Sequence, residues 1–509
     1  MRARSFTSLL AVMLLLGAPA RADSTAAIKI DGGRVSGLVQ NGVESFKGIP
    51  FAAPPVGELR WRAPQPVKKW PGVKAAEAFG PSCMQGVGPG MRAEDMSEDC
   101  LTVNVWRPAG VAKDAKLPVM VWIYGGAMVA GSTSRPTYDG TTFAKGGVIL
   151  VSFNYRVGRL GVFAHPALTA ENADKGRLAN YALMDQVAGL EWVKRNISAF
   201  GGDAKKVTIF GQSAGGLSID TLMVTPSARG LFAGAIAQSG YGRPYFARLS
   251  TPAPDGRQSA EADGLAIAAK LGITGTDAAA LKALRDVPPA KVLEAARGEF
   301  ILYYVVDGKV LPHDIWEGFR KKEEAPVPFM VGSTTHEEPT VAWKDRRRDI
   351  MALTKDEDRP VLAEAYGSND MLDIYMQTDF VFTAQARTLA RMHVANGYPT
   401  HLYLFSTVPA AANIAEQLGA RHAAELRYVF GTMNTGTPLT APADLEVSRV
   451  INAAWRAFAS TGAPNGPGLT AWPDYKSGEL MEFALSGPRV HVDERNARLD
   501  VLSKVLDPK

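Results

Sequence analysis

Ser213 stands in Gly211-Gln212-Ser213-Ala214-Gly215, directly after the β-rich run Val207-Thr208-Ile209-Phe210 and before a helical stretch. A strand that runs through G-x-S-x-G into a helix is the pattern of a nucleophile elbow. Small residues at both glycine positions let the chain turn sharply and set the Ser213 hydroxyl at the tip. The helix starting near Ala214 points free N–H groups and its dipole at the same place, where they favour negative charge. The competing reading is an ordinary glycine-rich turn, and the preceding strand argues against it. A serine hydroxyl attacks only when a base takes its proton, and a third group must orient that base.

Downstream of the elbow the order to look for is acid, then histidine. The run Val331-Gly332-Ser333-Thr334-Thr335-His336-Glu337-Glu338 leaves a predicted strand and supplies two acids, Glu337 and Glu338. Four of the seven histidines follow: His393, His401, His422 and His491. His393 falls in a helical stretch, His401 begins a strand and His491 follows one, whereas His422 lies in the small-residue turn Gly419-Ala420-Arg421-His422-Ala423-Ala424-Glu425. Loop placement favours His422 without deciding it. His336 beside two acids lacks the HExxH spacing and a nearby second histidine, so no metal is expected there. A candidate oxyanion hole is Gly125-Gly126-Ala127, where small residues after a strand let backbone N–H groups approach a substrate.

These residues need a rigid frame, and the pattern around them supplies one. Leu117-Pro118-Val119-Met120-Val121-Trp122-Ile123-Tyr124 and Val148 to Phe153 read as buried strands, as do the run before the elbow, Pro328 to Val331 and Tyr403 to Phe405. Leu183 to Asn196 has apolar residues at helical spacing. Largely apolar strands separated by helices predict a mostly parallel sheet covered on both faces. Ser259 to Arg297 is Ala- and Leu-rich, broken at Gly272 and Pro288-Pro289, and reads as a helical insertion. Val450 to Phe458 reads as a closing helix. One large domain over residues 23–509 is the economical organisation.

The 509 residues are 46% apolar and 21% charged, which sets aside collagen-like, disordered and coiled-coil classes. The net charge of +5 falls to +2 without Arg2, Arg4 and Arg21, too little for a phosphate-binding surface. The run Lys344 to Arg348 is interrupted by Asp345 and reads as a solvated face, so no nucleic-acid partner is expected. Residues 1–22 have the form of a secretory signal, with two arginines, the apolar run Leu9 to Ala18, and small-residue sites after Ala20 and Ala22. That run is too short to cross a bilayer, and no later segment serves as a transmembrane anchor. Export, periplasmic or secreted, makes one disulfide the natural reading of the only two cysteines, Cys83 and Cys100. Two cysteines alone make a poor zinc site. Asn196-Ile197-Ser198 fits a glycosylation acceptor but sits at a helix end and receives no assignment. No feature of the sequence bears on oligomeric state.

Several ordered motifs together resemble the type-B carboxylesterase/lipase family, the cholinesterase-like branch of the α/β-hydrolase fold. They are Lys47-Gly48-Ile49-Pro50-Phe51-Ala52 with Pro54-Pro55, Glu98-Asp99-Cys100-Leu101-Thr102-Val103-Asn104-Val105-Trp106, Trp122-Ile123-Tyr124-Gly125-Gly126, Asn154-Tyr155-Arg156, Phe200-Gly201-Gly202-Asp203, the elbow, Gln238-Ser239-Gly240 and the His422 segment. The resemblance covers nearly the whole chain after residue 22. It implies an α/β fold with helices on both faces of the sheet and helical insertions. By it Ser213 is the nucleophile, His422 the general base, Glu337 the orienting acid, and the amides of Gly126, Ala127 and Ala214 the oxyanion donors. Ser239 matches a position that supports the acid, Cys83 and Cys100 match a family disulfide, and Arg60–Glu98 and Arg156–Asp185 match structural ion pairs. The chain departs from the family at Ala127, at Glu338 where a glycine usually follows the acid, and at Ala179 and Ala182. The implied activity is hydrolysis of small-molecule carboxylic esters through an acyl-enzyme, with neither cofactor nor metal. Its rivals are the same machinery on an amide, carbamate or lactone, and a non-catalytic binding module, against which the intact Ser213, Glu337 and His422 argue.

Overall fold

A computed structural model describes residues 23–86, 92–241, 246–253, 256–299, 302–337, 350–352, 354–410, 418–433, 441–476 and 478–506. The signal-like segment 1–22, the basic run 344–348 and Glu338 lie outside the described residues.

Among the described residues twelve strands form the central sheet. In chain order they are β1 (Asp23–Ser24), β2 (Leu38–Gln40), β3 (Val43–Pro50), β4 (Thr102–Pro108), β5 (Leu117–Ile123), β6 (Ile149–Phe153), β7 (Gly202–Gln212), β8 (Gly234–Gln238), β9 (Phe329–Thr334), β10 (Thr400–Phe405), β11 (Glu479–Ala484) and β12 (Gly487–Val492). Across the sheet the order is β1-β2-β3-β4-β6-β5-β7-β8-β9-β10-β11-β12. From β6 to β11 every neighbouring pair is parallel. The two flanks are antiparallel, β1 to β6 on one side and β11 with β12 on the other. The expected mostly parallel sheet is therefore its middle.

Successive residues of a strand point to opposite faces, so a strand buried at every position is covered on both. Val119 to Ile123 and Val207 to Gln212 are buried throughout. Helix α1 (Tyr181–Asn196) packs against β7, α2 (Ala214–Met223) against β7 and β8, and the insertion between β8 and β9 holds α3 (Ala260–Lys270), α4 (Ala278–Asp286) and α5 (Pro289–Ala295). Helix α6 (Ala384–Ala395) lies on β9 and β10, and α7 (Pro442–Thr461) touches β5, β7 and β11. The insertion breaks where the sequence indicates, at Gly272 and before Pro289.

Two expectations change. The helix read as closing the fold is α7, and β11, β12 and α8 (Asn496–Leu506) follow it. His491 lies within β12 rather than after it, because that half-exposed edge strand has too little apolar pattern to announce itself. Asn196 is buried, its carbonyl oxygen accepting from the Asp31 N–H (2.9 Å) and its amide donating to the Trp192 carbonyl (3.0 Å). Cys83 and Cys100 form a disulfide. Both matched ion pairs are present, Arg60–Glu98 at 2.6 Å and the fully buried Arg156–Asp185 at 2.7 Å. Among the described residues no helix is long and apolar enough to cross a membrane.

Candidate active site

β7 delivers Ser213 to the C-terminal edge of the parallel strands with φ 59° and ψ −123°, outside the regions most residues adopt. The flanking glycines explain how the chain turns there. A Cβ on Gly211 would sit 2.5 Å from the Gly215 carbonyl oxygen, and one on Gly215 would collide with the Ile123 carbonyl oxygen. Two hydrogen bonds hold the turn: Ser213 N–H to the Gln238 carbonyl (2.9 Å) and Leu217 N–H to the Ser213 carbonyl (2.8 Å). Ala214 is the first residue of α2, so its N–H has no partner within the helix.

The Gly125–Ala130 turn lies against this elbow, since a Cβ on Gly125 would fall 3.0 Å from that of Ser213. Gly126 (φ 129°) and Ala127 (φ 56°) both occupy left-handed backbone, which brings their amides round. The bonds inside the turn use the Gly126 carbonyl, which accepts from the N–H groups of Val129 and Ala130, each at 3.0 Å. The N–H groups of Gly126 and Ala127 are thus outside the turn's own bonding. The Gln85 side chain clamps the turn's end, accepting from Gly131 N–H (2.7 Å) and donating to the Gly131 carbonyl (2.8 Å). Gln85 itself follows the disulfide-bonded Cys83 and donates to its carbonyl at 2.9 Å.

Glu337 is 1% exposed. Its Oε1 accepts from the Ser239 hydroxyl (2.6 Å) and the Thr334 N–H (2.8 Å), and its Oε2 is bonded to His422 Nδ1. The histidine reaches the acid because the chain beyond β9 pairs with the His422 loop. His336 bridges to Arg421, its N–H bonds the Ala420 carbonyl at 2.9 Å, and Thr335 Oγ1 accepts from Ala420 N–H at 2.8 Å. Beyond the loop, Phe430 is wedged against Trp122 and Phe210, with ring centroids 5.0 and 5.7 Å away. Phe382 covers the imidazole at 5.3 Å.

Three of the site residues singled out in the sequence, Ser239, Glu337 and His422, thus form one hydrogen-bonded chain. Ser213 joins it through the backbone, being bonded to Gln238, the neighbour of Ser239. At His422 Nε2 the bonded partner is the amide of Gln212, at 3.1 Å. The other candidate histidines stand elsewhere: His393 is buried against Glu324, His401 is buried against Pro473, and the half-exposed His491 pairs with Glu482. Burial opposes charge on His422, but the carboxylate of Glu337 and the nearby Glu425 outweigh it, so its pKa lies above the ordinary value.

Sequence reasoning missed Gln212, Gln85 and Glu425. Glu425 is fully buried; burial, reinforced by the Glu337 carboxylate, pushes its pKa up to about 7. It accepts from the Gln238 amide at 3.2 Å, whose carbonyl accepts from Trp455 Nε1 at 3.1 Å. A glutamate three residues after a histidine was visible in the sequence, but its burial was not. A cleft of about 520 Å³ borders the Gly125–Ala130 turn at Val129 and Ala130 and is walled by Met84, Met96, Leu293 and Leu302. The Arg159–Glu299 ion pair (2.7 Å) lies on its side.

Known proteins resemble this chain over almost its whole length. The model of the carboxylesterase family matches residues 24–365 and 367–501. The fumonisin B1 esterase of Sphingopyxis macrogoltabida is 35% identical over 484 residues, 89% of this chain and 85% of its own. The para-nitrobenzyl esterase of Bacillus subtilis is 35% identical over 473 residues, 87% of this chain and 91% of its own. A solved carboxylesterase of Geobacillus stearothermophilus superposes with a TM-score of 0.80 at 33% identity, covering 94% of this chain and 99% of that one. The chain belongs to the carboxylesterase family, with the α/β-hydrolase fold, and is a serine hydrolase of carboxylic esters.

Proposed function

We propose that Ser213, His422 and Glu337 are the triad of this esterase and that the amides of Gly126, Ala127 and Ala214 form its oxyanion hole. The observation that carries this reading is the buried Glu337 carboxylate, which joins Ser239 on one oxygen and His422 on the other. In acylation the Ser213 Oγ–H bond breaks and its proton goes to His422 Nε2. Oγ bonds the ester carbonyl carbon, and the carbonyl π pair moves onto the oxygen facing the three amides. Collapse expels the alkoxide, which takes the proton from His422. Water then repeats the sequence on the acyl-enzyme and releases the acid. Across Oε2 the Glu337 carboxylate stabilises the imidazolium that forms.

The cleft beside the oxyanion turn supports an apolar substituent on the substrate's acyl or alcohol side. We further read residues 1–22 as an export signal and 23–509 as one hydrolase domain; the Cys83–Cys100 disulfide supports an oxidising destination.

The test is p-nitrophenyl ester hydrolysis across acyl chain lengths, with Ser213→Ala as control, joined to fluorophosphonate labelling. Activity and labelling in the parent that both vanish in the variant are expected. A fully active Ser213→Ala protein would overturn the assignment.

A further inference from the structure

The group bonded to the reacting nitrogen of His422 is the residue before the nucleophile. Gln212, the last residue of β7, is 4% exposed, and its Nε2 lies 3.1 Å from His422 Nε2. On the far side of the ring Nδ1 is bonded to the Glu337 carboxylate. A carboxylate only accepts, so Nδ1 carries the proton, and a neutral imidazole protonated there has one lone pair, at Nε2. The amide therefore presents an N–H to that lone pair. It is the same lone pair that must receive the Ser213 proton.

We propose that Gln212 is a positioning residue: its amide holds the bare Nε2 of His422 in the resting enzyme and releases it to the Ser213 hydroxyl as acylation begins. This rests on the triad reading given above. The bond exists only while Nε2 is unprotonated, so it favours the neutral base over the imidazolium. Once the proton has moved from Oγ to Nε2, N–H faces N–H, and the amide must turn its carbonyl to the ring or withdraw. Gln212 thus keeps the base aligned and uncharged without remaining bonded to it during the chemistry.

The surroundings make a neutral side chain matter at this position. The groups facing the imidazole are Glu337 from the extension of β9 and Glu425 from its own loop, both acidic, with Tyr403 of β10 beside the two carboxylates. Burial pushes the Tyr403 phenol well up, so it stays neutral. Two acids already draw a proton towards His422, and the amide acts against them at Nε2.

The experiment measures the acid limb of kcat/KM against pH, using a p-nitrophenyl ester, for the parent, Gln212→Leu and Gln212→Glu. Each is repeated in a Glu425→Gln background, because Glu425, its pKa pushed up to about 7 by burial, adds its own charge change beside the imidazole. Loss of one neutral donor should move the limb upward by roughly half a unit to one unit in Gln212→Leu. Gln212→Glu matches the parent in shape and should move it further, by roughly one to two units, because a carboxylate at Nε2 favours the imidazolium. An unmoved limb in both variants overturns the proposal. A downward shift also overturns it, since it would mean that the amide carbonyl faces a protonated Nε2. A purely structural role would lower the thermal midpoint, and kcat at every pH, without moving the limb. Ser213→Ala and His422→Ala separate the two readings: activity in either removes the triad and this proposal with it, whereas two dead variants with an unmoved Gln212 limb remove this proposal alone.

Discussion

Ser239 offers the sharpest check on what holds Glu337 in place. It is fully buried, its backbone lies at φ 46°, and its hydroxyl donates to Glu337 Oε1 at 2.6 Å. A hydrogen bond to a charged group contributes about 1.5–3 kcal/mol, so Ser239→Ala should lower stability by that amount. Ser239→Gly removes the same hydroxyl but also relieves left-handed strain of about 1–2 kcal/mol. The freer unfolded chain offsets about 0.4–1 kcal/mol of that relief, leaving the Gly variant about 0.5–1 kcal/mol more stable than the Ala variant. Catalysis should not distinguish them, because both leave the carboxylate held at Oε1 by Thr334 alone. A drop in kcat of about tenfold in each corresponds to about 1.4 kcal/mol of transition-state stabilisation. Urea unfolding and ester turnover on the same preparations give both numbers. An Ala variant within about 0.5 kcal/mol of the parent, at unchanged kcat, would refute the reasoning by showing that the hydroxyl does not hold the acid.

Two further outcomes test the frame and the electrostatics. Replacing both Cys83 and Cys100 with alanine opens a loop closed across a separation of 17 residues, and urea unfolding should record a loss of about 3 kcal/mol. Glu425 has its pKa raised by burial from 4.5 to about 7, so its contribution to stability is complete below about pH 4.5 and is lost as the pH rises through 7. Glu425→Gln, which has no such titration, should therefore gain roughly 3 kcal/mol on the parent between those limits, and a difference that stays constant with pH would exclude the assignment.

What the sequence revealed was whatever a local pattern or a chain order carries. The elbow is legible because Gly211 and Gly215 have no room for a Cβ, a constraint written into residue type. The turn around His422 favoured it over its rivals without deciding between them, the strand before Glu337 and Glu338 offered both acids, and the resemblance to a family selected His422 and Glu337. Contacts between side chains on separate segments leave no such trace. Nothing local says that Gln212 reaches His422, that Gln85 clamps the end of the Gly125–Ala130 turn, or that Glu425 is buried and bonded to Gln238. The antiparallel flanks escaped notice for a different reason: β1, β2 and β12 are short or half-exposed, so neither length nor alternation marks them.

The register of the sheet also separates what must stay from what is free to vary. The chain leaves β8 at Gln238 and returns to β9, where Gln238 pairs with Gly332; it leaves β9 at Thr334, paired with Phe405 of β10. The excursions between those rungs supply Leu293 and Leu302 to the cleft and Phe382 to the imidazole. Each is a cassette that leaves one strand at its C-terminal end and enters the neighbouring strand at its N-terminal end, at Phe329 and at Thr400. Laboratory recombination among esterases therefore has its crossover points marked in advance. Segments exchanged after Ser239 and before Phe329, or after Glu337 and before Thr400, alter the cleft wall and the cover of the imidazole, while the ladder that spaces Ser213, Ser239 and Glu337 passes unchanged from parent to chimera.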